Sequence, residues 1–128
     1  MIKKELTKQI IGCFYDVYNA LRWGFLEKVY ENALSIELEE SGLSIETQVP
    51  ISVHYKSRVV GDYFADMLVA GDIIIELKAV EKLTKPHEAQ LLNYLKSTDK
   101  EIGLLLNFGP EPQIVRKIFT NDRMGKKN

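Results

Sequence analysis

The sequence predicts an α/β fold, a mixed central sheet flanked by helices. Three features carry that expectation: two amphipathic segments before Gly42, alternating and then apolar segments from Ile45 to Lys78, and a third helical stretch enclosed by strands. With 128 residues, 45% of them hydrophobic and 27% charged, the chain has the size and composition of one globular domain, spanning residues 1–128.

The elements follow in order. From Glu5 to Leu21, the residues Ile10, Phe14, Val17, Tyr18 and Leu21 recur at helical spacing, and Gly24 supplies a stop. A second helix is expected from Phe25 to Ser41, anchored by Leu26, Val29, Tyr30, Ala33 and Leu34, with Glu37, Glu39 and Glu40 in solvent and Gly42 beyond its end. The period then changes. Ile45, Val49, Ile51, Val53 and Tyr55 alternate, and Lys56-Ser57-Arg58 reads as a turn into Val59 and Val60, so a hairpin is expected. Further strands are expected at Tyr63 to Val69 and Ile73 to Lys78, joined around Ala70-Gly71-Asp72. Thr84-Lys85-Pro86 places an N-cap and a first-turn proline at the start of a helix reaching about Ser97. Strands at Ile102 to Asn107 and Gln113 to Phe119 complete the order, and residues 120–128 read as a frayed tail.

Composition excludes more than it proposes. A net charge of -1 argues against a generic polyanion binder, so any nucleic-acid contact must be local. One cysteine, Cys13, cannot form an internal disulfide, and two histidines leave a zinc site short of ligands. No apolar run is long enough for a membrane helix, and Met1-Ile2-Lys3-Lys4-Glu5 does not lead into a secretory signal; the protein is expected in the cytoplasm.

The segment Ile73-Ile74-Ile75-Glu76-Leu77-Lys78 is the most informative, because a strand this apolar belongs inside and yet carries two ionisable groups. Alternation puts Glu76 and Lys78 on one face, with Ile75 and Leu77 on the other. If Ala70-Gly71-Asp72 is the whole loop, Val69 pairs with Ile73, Asp66 falls opposite Glu76, and Phe64 falls opposite Lys78. Two facing carboxylates repel, and a divalent cation would turn that repulsion into binding. Hard oxygen ligands favour Mg2+ or Mn2+. A lysine–carboxylate ion pair at a strand end is the competing reading of the same residues.

Asp66 followed by Glu76-x-Lys78 on the next strand resembles the PD-(D/E)xK nuclease signature, with Ala65 where the signature has proline. Gly24-Phe25-Leu26-Glu27-Lys28-Val29-Tyr30 resembles the motif of the GxxExxY proteins, and Gln90-Leu91-Leu92-Asn93-Tyr94 resembles the QxxxY helix motif of RecB-like exonucleases. The resemblance implies a restriction-endonuclease-like core in which Glu27 reaches the sheet from a neighbouring helix. It further implies a site with Glu27, Asp66, Glu76, Lys78, Gln90 and Tyr94 as catalytic residues. Mg2+ or Mn2+ would be held there by Glu27, Asp66, Glu76 and the Leu77 carbonyl. His87 shares a helix face with Gln90 and Tyr94, and with Lys82 and Lys85 it is a candidate nucleic-acid contact. Lys96, Arg116, Lys117, Arg123, Lys126 and Lys127 are further candidate sources of positive surface.

The leading expectation is a metal-dependent nuclease acting on DNA, with RNA as the other substrate and homodimerisation as a way to enlarge a small recognition surface. Two alternatives remain at this level: a non-catalytic nucleic-acid-binding or regulatory module of the same fold, and a structural domain in which the charged residues only pair.

Overall fold

A computed structural model describes residues 3–121. The expected tail and its Arg123, Lys126 and Lys127 lie almost wholly outside these residues. Helices α1 (Lys4–Leu21) and α2 (Glu27–Glu40) precede strands β1 (Ile45–Tyr55), β2 (Arg58–Val69) and β3 (Ile73–Lys78). Helix α3 (Lys85–Lys96) then leads to β4 (Ile102–Phe108) and β5 (Pro112–Ile118). The five strands lie in chain order, antiparallel except for β3 and β4, which run parallel because α3 crosses between them. This is the mixed sheet that the sequence predicts.

Two apolar clusters hold the layers together. On one side Ile10, Phe14, Val17 and Tyr18 of α1 and Tyr30, Leu34 and Leu38 of α2 pack on Met67, Ile75, Leu77, Leu104, Leu106 and Phe108. On the other, Leu91, Tyr94 and Leu95 of α3 pack on Leu68, Ile74 and Leu105. Strands β3 and β4 are covered on both faces, which is why they are apolar almost throughout.

Three expectations are corrected. The segments Val59-Val60 and Tyr63 to Val69 belong to one strand, β2, whose ladder with β1 passes through Gly61–Val53 and then slips by one residue, to Val59–His54, leaving Val60 as a bulge. The hairpin turns through Lys56 and Ser57 alone, at φ 51° and 64°, the left-handed pair that a two-residue connection of twisted strands requires. On α2, Leu26 lies just before the first helical residue and is 80% exposed, and Val29 is also exposed, so neither anchors the helix. The buried stripe is instead Tyr30, Glu31, Leu34 and Leu38.

Candidate active site

The site begins where β2 and β3 part. The loop Ala70-Gly71-Asp72 sets Val69 against Ile73, as expected, and Ala70 and Gly71 turn it with φ 54° and 69°. The ladder runs through Leu68–Ile74 and Met67–Ile75 and then stops. At the next step side chains replace backbone pairing: the Asp66 amide donates to Glu76 Oε2 at 2.8 Å, and the Leu77 amide donates to Asp66 Oδ2 at 2.8 Å. Each carboxylate therefore closes the backbone of the other's strand, and the two acids share one gap. Phe64 does not reach Lys78, because it pairs only with Pro50 of β1 beyond the point of divergence.

Strand β1 is irregular at the same level, between the Thr47–Met67 and Val49–Ala65 pairs. Gln48 sits at φ 52°, a left-handed residue inside a strand, and simple alternation fails across this point. Met67 packs into the α1/α2 cluster while Ala65, two residues earlier, packs into the α3 cluster. Asp66 lies between them, where β2 rotates, and its side chain turns toward β3 rather than straight up from the sheet.

A linked pair of features sets Glu27 at the start of α2, where it feels the charges of Asp66 and Lys78. Gly24, at φ 129°, turns the chain between α1 and α2. The Tyr30 hydroxyl donates to the Arg22 carbonyl and accepts the Phe25 amide, while its ring stacks on Phe108 at 4.4 Å. The turn is thereby pinned to the core, and Glu27 follows as the first residue of α2. One helical turn later comes Glu31, only 5% exposed, paired with Lys28 at 3.3 Å and with Gln48 Nε2 3.5 Å from each carboxylate oxygen. Sequence reasoning missed Gln48 and gave Glu31 no role. A glutamate in the buried stripe of an amphipathic helix was the available signal for the second.

The electrostatics report the crowding. Burial pushes the Glu76 carboxyl up to about 8, with the Asp66 charge adding to the rise and the Asp66 amide and Lys78 opposing it. Asp66 is raised by burial and by Glu31, against the Leu77 amide, Lys78 and Gln48. Glu27 is raised by burial, Asp66 and Glu31, against Lys78. Lys78 is near enough to act on all three acids, yet among the described residues it forms no direct ion pair. The simple lysine–carboxylate pair is thus not what the fold builds.

Helix α3 closes the other side. Gln90 Nε2 donates to the Tyr94 hydroxyl at 3.0 Å, and burial, Glu76 and Asp66 together push the Tyr94 phenol up to about 12. His87 has another use: its Nδ1 accepts the Thr84 amide at 3.1 Å and caps the helix. Lys82 and Lys85 are exposed around the start of α3. Lys117 pairs with Glu88 at 2.9 Å, and Lys96 lies over the Phe119 ring. Behind Lys78 the chain is tied down by Asn107, fully buried, whose Oδ1 accepts the Val80 amide and whose Nδ2 donates to the Val80 carbonyl and to Gln113 Oε1. An asparagine inside the apolar run Leu104-Leu105-Leu106-Asn107-Phe108 was the sequence signal for this clamp.

Among the described residues, no three Asp, Glu, His or Cys side chains are drawn together as a ready metal cage. The chemistry of the pair nevertheless suits a small hard cation. Mg2+ is commonly held by one or two carboxylates, with water and substrate phosphate completing its shell. Asp66 and Glu76 are two adjacent hard-oxygen carboxylates whose ionisation is disfavoured without a counter-charge.

The comparisons with known proteins fit this arrangement. The solved crystal structure of a protein designated SSO0001 has a similar fold, with a TM-score of 0.60 and 22% identity over 76% of this chain and 52% of its own. The present chain thus spans about half the length of that protein. A search of curated proteins finds no match by sequence. The model of the PD-(D/E)XK nuclease superfamily, however, matches residues 4–118, a span that takes in α1, α2, all five strands and the acids between β2 and β3. With the mixed sheet and Asp66 and Glu76 meeting where those strands part, the chain belongs to the PD-(D/E)XK nuclease superfamily.

Proposed function

We propose that the protein is a metal-dependent nuclease that hydrolyses phosphodiester bonds in DNA, using Mg2+ or Mn2+. The observation that carries this reading is the reciprocal bonding of Asp66 and Glu76 beside Lys78, within range of the Glu27 charge at the start of α2. Its membership of a nuclease superfamily supports the reaction class. The Gly24, Glu27 and Tyr30 arrangement supports a place among the GxxExxY proteins.

Asp66, Glu76 and the Leu77 carbonyl would hold the cation, with Glu27 as a further direct or water-mediated ligand. A bound dication would neutralise charge on the phosphate and lower the pKa of water. The Asp66–Leu77 and Glu76–Asp66 bonds fix the carboxylates in place, so little reorganisation is needed when substrate arrives. Lys78, which among the described residues forms no direct ion pair, would orient the attacking water or meet charge growing on the phosphate oxygens. Gln90 and Tyr94, linked to each other, would position the scissile phosphate from the α3 side.

The test is hydrolysis of labelled single- and double-stranded DNA and RNA with Mg2+, Mn2+ or chelator. Wild-type protein should cleave only with metal, and Glu76→Ala and Lys78→Ala should each abolish cleavage. Cleavage indifferent to both substitutions, or none on any substrate, would overturn the proposal.

A further inference from the structure

Beyond the site, β1 and β2 continue as a two-stranded ribbon. Strand β3 pairs with β2 only at Met67–Val69, so among the described residues the stretches Val49–Tyr55 and Arg58–Ala65 have no other strand beside them. Such a ribbon would ordinarily carry polar residues on its open surfaces, but this one exposes aromatic rings: Tyr63 is 46% and Tyr55 63% exposed.

One face of the ribbon runs directly into the candidate active site. Tyr63 lies opposite Ile51, which packs in the α3 cluster, and the Tyr63 ring sits 5.9 Å from that of Tyr94. Gly61 lies beneath the Tyr63 ring: a Cβ there would come within 3.0 Å of Tyr63 Cε2, so the ring is laid down along the ribbon. Further out, two residues beyond Val53, Tyr55 pairs with Arg58, and Lys56 Nζ lies over the Tyr55 ring at 5.5 Å. The span from Ile51 to Tyr55 is about 13 Å at strand rise.

The charge is complementary to a polyanion. The outer end of the ribbon carries Lys56 and Arg58, and between Val49 and Ala65 its one carboxylate is Asp62, which accepts a hydrogen bond from the Ser52 hydroxyl at 3.3 Å, in a protein whose net charge is -1. Exposed aromatic faces interleaved with cations suit a flexible strand whose bases are free to stack and whose phosphates pass nearby.

We propose that the β1–β2 ribbon is an arm that grips single-stranded nucleic acid and leads it to the Asp66–Glu76 site, with Tyr63 and Tyr55 stacking on bases and Lys56 and Arg58 meeting phosphates. The proposal rests on the nuclease reading and adds to it the strandedness of the substrate and the residues that select it.

The probe is a fluorescein-labelled oligothymidylate of about twenty nucleotides, bound in chelator and followed by anisotropy, beside a blunt duplex of the same length. Wild-type protein should prefer the single strand. Tyr55→Ala combined with Tyr63→Leu should weaken binding about tenfold or more, and Tyr63→Trp alone should preserve it, since leucine fills space but offers no stacking face. Lys56→Ser with Arg58→Ser should flatten the salt dependence of binding. Circular dichroism of each variant separates lost binding from lost folding, and Tyr55→Ala alone, at an exposed position, should weaken binding without touching the fold. Binding unchanged by these substitutions, equal or tighter binding of the duplex, or a ribbon-dependent homodimer that binds no oligonucleotide would each overturn the proposal. Metal-dependent cleavage with ribbon-independent binding would sink the arm and leave the nuclease reading standing. Ribbon-dependent binding without cleavage would do the reverse.

Discussion

Glu76→Gln should make the metal-free protein more stable while removing its activity. In the folded chain the Glu76 carboxyl is raised from 4.5 to about 8 by burial and by Asp66, so folding must hold a proton on a group that is ionised in the unfolded chain. The sign follows directly. A raised carboxyl contributes no penalty below about pH 4.5, where both states are protonated, and an increasing one as pH rises toward 8, beyond which it is constant. At pH 7 the interval above 4.5, at about 1.4 kcal/mol per pH unit, amounts to about 3 kcal/mol. Glutamine is neutral throughout, and its Oε1 can still accept the Asp66 amide. For a chain of this size that difference corresponds to a melting temperature about 10 °C higher at pH 7. Thermal melts in chelator across the range from about pH 4 to pH 9 would measure it. The expected result is a gain that vanishes at the acid end and reaches its limit above the folded pKa. A gain independent of pH, or a loss near neutrality, would refute the electrostatic account of the site.

Three other substitutions probe separate parts of the account. Tyr30→Phe removes the hydroxyl that joins Arg22 to Phe25; urea melts should show a loss of about 1–2 kcal/mol, and kcat should fall more than KM changes because Glu27 loses its fixed approach. Asn107→Ala leaves Val80 and Gln113 without their buried partner and should cost about 2–4 kcal/mol by the same measurement. Lys78→Met should lower single-turnover cleavage by about a hundredfold or more yet lower the melting temperature only slightly, since among the described residues Lys78 acts on the acids through its charge and forms no direct ion pair.

Much of this arrangement was legible in the sequence because local rules govern it. Helical spacing located α1 and α3 to within one residue at each end, and the apolar run bounded β3 at Ile73 and Lys78. The loop Ala70-Gly71-Asp72 set the Val69–Ile73 register, and with it the meeting of Asp66 and Glu76. What escaped depended on tertiary contacts. The left-handed Gln48 has no glycine to announce it, and the rotation of β2 that turns Asp66 toward β3 is invisible to a rule of strict alternation. Leu26 and Val29 looked like core because they continue an apolar spacing; the helix starts too late and faces too far round for either to be buried. Tyr30 was legible as a core tyrosine, but its hydroxyl's grip on the preceding turn required coordinates.

The central claim is that Asp66 and Glu76 are brought together to hold a divalent cation for phosphodiester hydrolysis. Crystals of the protein soaked in Mn2+, with diffraction recorded to map anomalous scattering, address it most directly. The account predicts a manganese peak bounded by the Asp66 and Glu76 carboxylates and the Leu77 carbonyl, absent in Asp66→Ala crystals treated alike. Manganese bound only elsewhere, or no peak at a concentration that supports cleavage, would contradict it.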